Sequence, residues 1–397
     1  MSSADKSQKA PIEGRYYEQG TRPASHRIIT TLHIRRLRLN SSVVELNPRI
    51  NYSPSRLGEM MSGSTLQPLR ALDLFCGVGG SSYGASMAGI KVVGAVDMWS
   101  LAHNTYLDNF PDTRFYVQKA EDISPKEIEK ELGPIQLILA SPECTSHTCA
   151  RGNREQSEAS NLTAFEVNRF ARVLRPRWIL VENVIQMRLW KRYQEWLDEL
   201  KQLGYRCREQ LLNAAYFGVP QSRKRLFIMC DLERMPPEVL ASPGRKIRPA
   251  RTIISYNGAF PFSRLDSKRR AKPTLERAKR AMANLGNHTP FLIVYYGSDG
   301  AGGWQRLNVP LRTVTTLDRF AYVRRRKNGH EMRMLQVPEL KKAMGFPARY
   351  RLNHGVRRDK IRLLGNAVCP PVIKAIIQAI TSSSGKLAGY FQAGEER

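Results

Sequence analysis

The chain has 397 residues, 42 % hydrophobic and 25 % charged, which suits a folded globular protein and excludes a small stapled fold or a disordered chain. Its formal net charge of +28 sets up a positive field suited to a polyanion. Nucleic-acid phosphate is the expected partner and a membrane is not, because no uninterrupted apolar stretch reaches bilayer length and the first thirty residues lack the apolar centre of a secretory signal. An intracellular place, in cytoplasm or nucleoid, is expected.

Residues 1–66 mix basic clusters (Arg35, Arg36, Arg38) with Ser, Pro and Gly, and only Arg27 to Leu39 shows a short apolar alternation. This basic N-terminal extension reads as an arm on DNA backbone, as a loosely ordered appendage, or as an over-long reading frame with its true start at Met60 or Met61. From Leu69 the pattern changes to repeated strand-helix units. Strands are expected at Arg70 to Phe75, Lys91 to Val96, Ile135 to Ala140 and Trp178 to Val181. Helices are expected at Ser82 to Ala88, Ser100 to Phe110, Pro125 to Leu132 and Asn161 to Leu174.

Such alternation predicts an α/β fold with a doubly wound, mostly parallel sheet across residues 67–230. Arg225 to Cys230 reads as a further strand, preceded by the basic run Ser222-Arg223-Lys224-Arg225. Residues 231–312, rich in Arg, Lys and Pro, form the candidate for a second, smaller domain. The chain is then expected to return to the first domain over 313–383, closing with a helix at Val368 to Ile380 and a tail at 384–397.

In an open parallel sheet, ligands bind beyond the carboxyl ends of the strands. After the first strand comes the glycine turn Cys76-Gly77-Val78-Gly79-Gly80, and after the second comes Asp97, placed to accept hydrogen bonds from ribose hydroxyls. A dinucleotide fingerprint fails, because Ser82 stands where its third glycine belongs. Beyond the third strand lies Ser141-Pro142-Glu143-Cys144-Thr145, and beyond the fourth lies Glu182-Asn183-Val184. A thiol and a carboxylate thus reach one edge, the thiol suited to nucleophilic attack and the carboxyl to acid chemistry, although loop filler and helix cap are the plain alternatives. The run Gln221 to Arg225 reaches that edge only if its strand is antiparallel to the others.

Six cysteines, at 76, 144, 149, 207, 230 and 369, include no Cys-x-x-Cys pair, so reduced thiols and no metal site are expected.

The ordered set Asp73-Leu74-Phe75-Cys76-Gly77-Val78-Gly79-Gly80, Glu121-Asp122-Ile123, Pro142 to Cys144, Glu182-Asn183-Val184, Gln221 to Arg225, Arg312-Thr313-Val314-Thr315-Thr316 and Gly365-Asn366-Ala367-Val368 resembles the cytosine-5 DNA methyltransferase family over residues 69 to 380. The resemblance implies an S-adenosylmethionine-dependent fold with a smaller target-recognition domain, and methyl transfer to carbon 5 of a cytosine flipped out of double-stranded DNA. It implies Cys144 as nucleophile on carbon 6, Glu182 on ring nitrogen 3, and Arg225 with Arg223 on the flipped base and its backbone. For S-adenosylmethionine it implies a pocket lined by Phe75, Gly77 and Gly79, with Asp97 on the ribose, Trp99 or Met98 against the adenine, Asp122 on the adenine amino group and Asn366 near the methionine end.

The nucleophile loop departs from the family, with Glu143 and Thr145 where Pro and Gln are usual. A carboxylate aimed inward there would raise the thiol pKa, whereas one aimed at solvent would not. Cys149 is a reserve nucleophile, five residues too late. Within residues 231–312, Arg245, Lys246, Arg248, Lys268, Arg269 and Arg270 suit phosphate contacts, and Tyr295, Tyr296 and Trp304 either reach bases or belong to a core. The same motifs serve a relative that methylates tRNA, and a nucleic-acid-binding relative without catalysis is the third reading. A cognate restriction endonuclease is consistent with this set, and a monomer is expected.

Overall fold

The computed structural model describes residues 37–39, 42–44, 68–143, 158–241, 244–297 and 302–382. The chain divides into two compact units, Met1–Leu66 and Gln67–Arg397. In the first, strands β1 (Leu37–Leu39) and β2 (Ser42–Val44) pair antiparallel; the rest of residues 1–66, the tail and both Cys144 and Cys149 lie outside the described residues.

The second unit is built on a seven-stranded sheet in the order β5-β4-β3-β6-β7-β9-β8. Its strands are β3 (Arg70–Leu74), β4 (Lys91–Val96), β5 (Arg114–Tyr116), β6 (Leu137–Ala140), β7 (Trp178–Asn183), β8 (Arg206–Asn213) and β9 (Lys224–Asp231). The pairs from β5 to β7 are parallel, and β9 runs antiparallel to both its neighbours, as the sequence predicts for the strand behind the arginine run. The chain leaves β3 toward one edge and returns on its other side as β6. This reversal opens a crevice beyond the carboxyl ends of β3 and β6.

Both faces of the sheet are buried, so its central strands read as continuous apolar runs. In β7, Trp178 and Leu180 enter one core, while Ile179 and Val181 enter the other. The first core takes helices α1 (Gly80–Met87) and α9 (Pro370–Ser382). The second takes α3 (Pro125–Leu132), α4 (Glu158–Leu174) and α5 (Tyr193–Gln202). Helix α2 (Ser100–Leu107) buries Tyr106 in a smaller cluster with Ala95 and Phe115.

Three elements of this sheet and its flanking helices escape the sequence pattern. Strand β5 has only three residues, and edge strand β8 buries only Leu212 fully, so neither carries an apolar alternation; α5 follows a loop that hides its start. A proline-bearing segment runs against β8 and is held by its side chains. The Gln210 amide donates to Val239 O (2.8 Å) and accepts from Val239 N (2.9 Å), and Arg208 Nε donates to Pro236 O (2.6 Å).

A second sheet, ordered β10-β14-β13-β11-β12, comprises β10 (Ser263–Arg264), β11 (Phe291–Val294), β12 (Trp304–Arg306), β13 (Phe320–Arg326) and β14 (Gly329–Met334). Its core is completed by α6 (Lys272–Leu285). The expected end of the smaller region at residue 312 cuts this sheet, because β13 and β14 lie beyond it and pair with β11 and β10. The intervening stretch belongs to the first sheet's neighbourhood, with Gln221 bridging Leu311 in parallel. Helix α7 (Val337–Ala343) then starts on Glu339, whose carboxylate pairs with buried Arg333 of β14 at 2.6 Å.

Helix α8 (Arg357–Asn366) and α9 span Arg357–Ser382, a stretch long and apolar enough to cross a membrane by length and composition; 67 % of its most apolar part is buried within the protein, where α9 serves as a core helix.

Helices α1 and α9 touch closely because Gly80 and Gly84 share a face. A Cβ on Gly84 would stand 2.6 Å from Pro370 O and 2.5 Å from Ile373 Cβ. Gly84→Ala is expected to lower unfolding free energy by about 1–3 kcal/mol in urea titration, despite the better helix propensity of alanine. An unchanged or raised midpoint would refute this packing constraint.

Candidate active site

Strand β3 delivers the chain into a turn with three left-handed residues, Phe75 (φ 57°), Gly77 (φ 52°) and Gly79 (φ 79°). Phe75 holds a conformation that costs a side-chain-bearing residue about 1 kcal/mol or more, a cost borne because its ring packs against the second core. At Gly77 the space a Cβ would enter is open, which leaves room for a ligand above the turn.

Asp97, at the end of β4, clamps this turn. Its Oδ2 accepts from Gly77 N (2.8 Å) and its Oδ1 from Trp99 N (2.9 Å), leaving a lone pair on each oxygen for a hydroxyl donor. Burial raises the Asp97 pKa while the two amides oppose the rise. Of the two candidate adenine walls, Met98 is 63 % exposed, whereas Trp99 is half-buried with the Arg362 guanidinium 4.7 Å from its ring centre.

Asp122 ends a short helical turn (Ala120–Asp122) and is exposed. Asn366, the exposed last residue of α8, is brought to the glycine turn by its neighbours, since a Cβ on Gly80 would stand 2.3 Å from Val368 O. Residues expected to hold one ligand are therefore presented from β3, β4, the turn after β5, and the end of α8.

A residue left without a role in the sequence reading sits below this turn. Asp73 is fully buried, and its Oδ2 accepts from both Ser82 Oγ (2.6 Å) and Ser82 N (3.1 Å). Ser82, conspicuous as the absent third glycine, is the signal that could have found it.

On the other side of the crevice, Glu182, next to last in β7, faces the first core. Burial raises its pKa, while Arg225 and Arg223 act to lower it. Arg225 Nε lies 3.2 Å from Glu182 Oε1 as a charge contact whose angles do not make a hydrogen bond. The next residue, Asn183, donates from Nδ2 to Pro142 O (3.1 Å). This bond ties Pro142 to the strand that carries Glu182. Glu143 is exposed, the solvent-facing alternative for that departure.

Arg223 departs from expectation. It is 4 % exposed, and its guanidinium donates to Val314 O (3.0 Å), Gly365 O (2.9 Å) and Ala367 O (3.1 Å). Those bonds occupy the group expected at the flipped base, and burial, with Arg225 beside it, pulls its pKa down to about 10. Gln221 works alongside, accepting from Val314 N (2.7 Å) and donating to Ala343 O (3.1 Å). Cys369, which the sequence passed over, lines a small cavity with Glu182 and both arginines; burial pushes its thiol up to about 11.

In the second sheet, Tyr295 and Trp304 pack against its core, and Tyr296 donates to Thr313 O (2.9 Å), so packing is the reading the structure favours for all three. Arg245 donates to Phe217 O and Arg270 to Ser263 Oγ, while Lys246, Lys268 and Arg269 are exposed.

The family model described as C-5 cytosine-specific DNA methylase matches residues 69–382. The Type II methyltransferase M.HgiDI of Herpetosiphon aurantiacus is 34 % identical over 161 residues, which is 41 % of this chain and 52 % of its own length. The tRNA (cytosine(38)-C(5))-methyltransferase of Homo sapiens is 29 % identical over 43 % of this chain and 44 % of its own length. The chain spans about half the length of most of these curated relatives, although a match to M.HaeII of Haemophilus aegyptius, at 24 % identity, covers 80 % of this chain and 94 % of that one. Among solved structures, a Spodoptera frugiperda DNMT2 variant superposes with TM-score 0.57 at 18 % identity, and the Entamoeba histolytica methyltransferase EhMeth with TM-score 0.58 at 16 % identity. These cover 79 % and 80 % of this chain and 99 % of each structure, a likeness of fold.

Arg223→Lys keeps a cation but not a fork that reaches three carbonyls. It is expected to cost about 3 kcal/mol of unfolding free energy, measured by urea titration. A loss below about 1 kcal/mol would show that the three bonds do not brace the site.

Proposed function

Since the chain belongs to the C-5 cytosine-specific DNA methylase family, we propose that it transfers a methyl group to carbon 5 of a cytosine flipped out of double-stranded DNA. The observation that carries this reading is the Asn183 to Pro142 hydrogen bond, which holds Pro142, two residues before Cys144 in the sequence, against the strand that carries Glu182.

The cradle fits S-adenosylmethionine. Open space at Gly77, free lone pairs on Asp97 and the exposed Asp122 and Asn366 suit a ligand with ribose hydroxyls, an amino purine and an amino-acid end. Phe75, Gly79 and Trp99, with Met98 at the rim, complete the pocket that would hold it. When bound it supplies an electrophilic methyl group.

The chain's own residues prepare the cytosine to take it. The Cys144 thiolate adds to carbon 6, and the ring becomes nucleophilic at carbon 5 as Glu182, kept protonated to higher pH by burial, donates to ring nitrogen 3. Arg225 stands beside Glu182 with guanidinium donors suited to the base carbonyl and the adjoining phosphate. Loss of the carbon 5 proton then expels the thiolate. Flipping is required because a stacked base exposes neither face to both reagents.

The second sheet is the proposed target-recognition element, with Lys246, Lys268 and Arg269 on phosphates. The Type II relatives extend the proposal to a restriction endonuclease sharing the site, and a monomer working inside the cell completes it. A tRNA substrate is the second reading, favoured by the likeness to the human tRNA enzyme.

Labelled methyl transfer to duplex DNA and to tRNA, in parallel, tests both readings. Label on carbon 5 of DNA cytosine, cut by at least about a thousandfold in Cys144→Ser, is expected; label on tRNA alone selects the second reading, and none on either refutes the enzyme. The pH profile of kcat/KM is expected to decline on its alkaline side as Glu182 loses its proton, and Glu182→Gln should flatten that limb while lowering the rate about a hundredfold.

A further inference from the structure

The start of α1 carries a charge arrangement that the proposed transfer does not use. Asp73 comes up from β3 beneath the helix and accepts the backbone amide of Ser82, one of the donors a helix start leaves unpaired. Ser82 Oγ, also bonded to Asp73, lies 2.7 Å from Tyr106 Oη. The second oxygen, Asp73 Oδ1, is buried and has no hydrogen-bond partner. In dinucleotide sites a helix start of this kind meets a pyrophosphate. Here a carboxylate occupies its underside.

The groups facing Asp73 are Asp97 from β4, Cys76 from the turn, Tyr106 from α2 and Tyr350 from the loop before α8. They comprise one more carboxylate, a thiol and two phenols. No cation pairs with Asp73 or Asp97 among the described residues, so the turn is an anionic spot on a chain of net charge +28. Buried charge is little screened by salt and acts on a ligand through a low effective dielectric.

We propose that Asp73 selects the charge of the cofactor: its carboxylate, held under the glycine turn by Ser82, favours the cationic sulfonium donor over the neutral thioether product and over any dinucleotide phosphate. The inference rests on the S-adenosylmethionine reading above and deepens it. One consequence is preferential release of S-adenosylhomocysteine after transfer. Burial pushes the Asp73 carboxyl up to about 7 against the two bonds from Ser82, with Asp97 adding to the rise. The charge, and with it the preference, is therefore present above that pH and lost below it.

Calorimetric titration of the full chain with S-adenosylmethionine and with S-adenosylhomocysteine at pH 8 tests the idea. Asp73→Asn should shift the ratio of the two Kd values against the sulfonium by about fivefold. Ser82→Ala, which removes a bond that holds the Asp73 pKa down, should move the same ratio in the same direction by a smaller factor. Equal weakening of both ligands in Asp73→Asn would reduce Asp73 to a structural role and overturn the proposal.

A second arm needs no variant to fold. The wild-type preference for the sulfonium should fall as pH drops from about 8.5 to 6, since both ligands share the same amino-acid end and differ in the sulfur charge. A constant ratio overturns charge selection alone, whereas failure of the wild-type chain to bind either ligand overturns the cofactor reading itself.

Discussion

The site depends on one buried cation. Arg223 draws together carbonyls from residues 314, 365 and 367, separated from it by 91 to 144 positions along the chain. Desolvating a guanidinium costs several kcal/mol, and the cost is offset only when its donors meet acceptors of good geometry. Those acceptors lie on either side of Asn366 and inside the Thr313 to Thr316 stretch, so the same interaction positions the cofactor edge and the segment that leads into the second sheet. Had Arg223 faced the base, as the sequence motif alone implies, its bonds to Gly365 and Ala367 would be lost, and Gln221 would be left to hold Val314.

Two opposite electrostatic regimes therefore share a single crevice. At the β7 and β9 side, two arginines surround one glutamate and leave a positive mouth suited to a nucleotide phosphate. At the β3 and β4 side, two carboxylates lie near each other without a cation among the described residues. A net charge of +28 describes the surface that meets a polyanion and says nothing of the second regime, which arises from burial.

The alternating apolar runs from Leu69 to Val181 made the parallel sheet legible, because both faces of each central strand are buried and each strand is bounded by turn residues. The order of motifs also put the glycine turn, Asp97, Pro142 and Glu182 at one edge, since a parallel sheet delivers every carboxyl end to the same side. Other features left no local trace. Strand β8 is an edge strand with little buried surface, and the second sheet interleaves with the first, so β13 and β14 appear in sequence after the chain has already returned to the main body. The role of Arg223 was equally hidden, because a guanidinium reads the same in sequence whether it meets a base or three carbonyls.

The segment held against β8 has a meaning for the molecule in a crowded solution. An edge strand offers a row of unpaired donors and acceptors to any extended chain, and a sheet of seven strands with such an edge invites end-to-end growth. Gln210 answers the backbone of Val239 with its side-chain amide, and Pro236 and Pro237 have no amide proton to offer a further strand. An incoming strand therefore meets two prolines beside this edge, which lowers the pairing on offer without closing the sheet into a barrel.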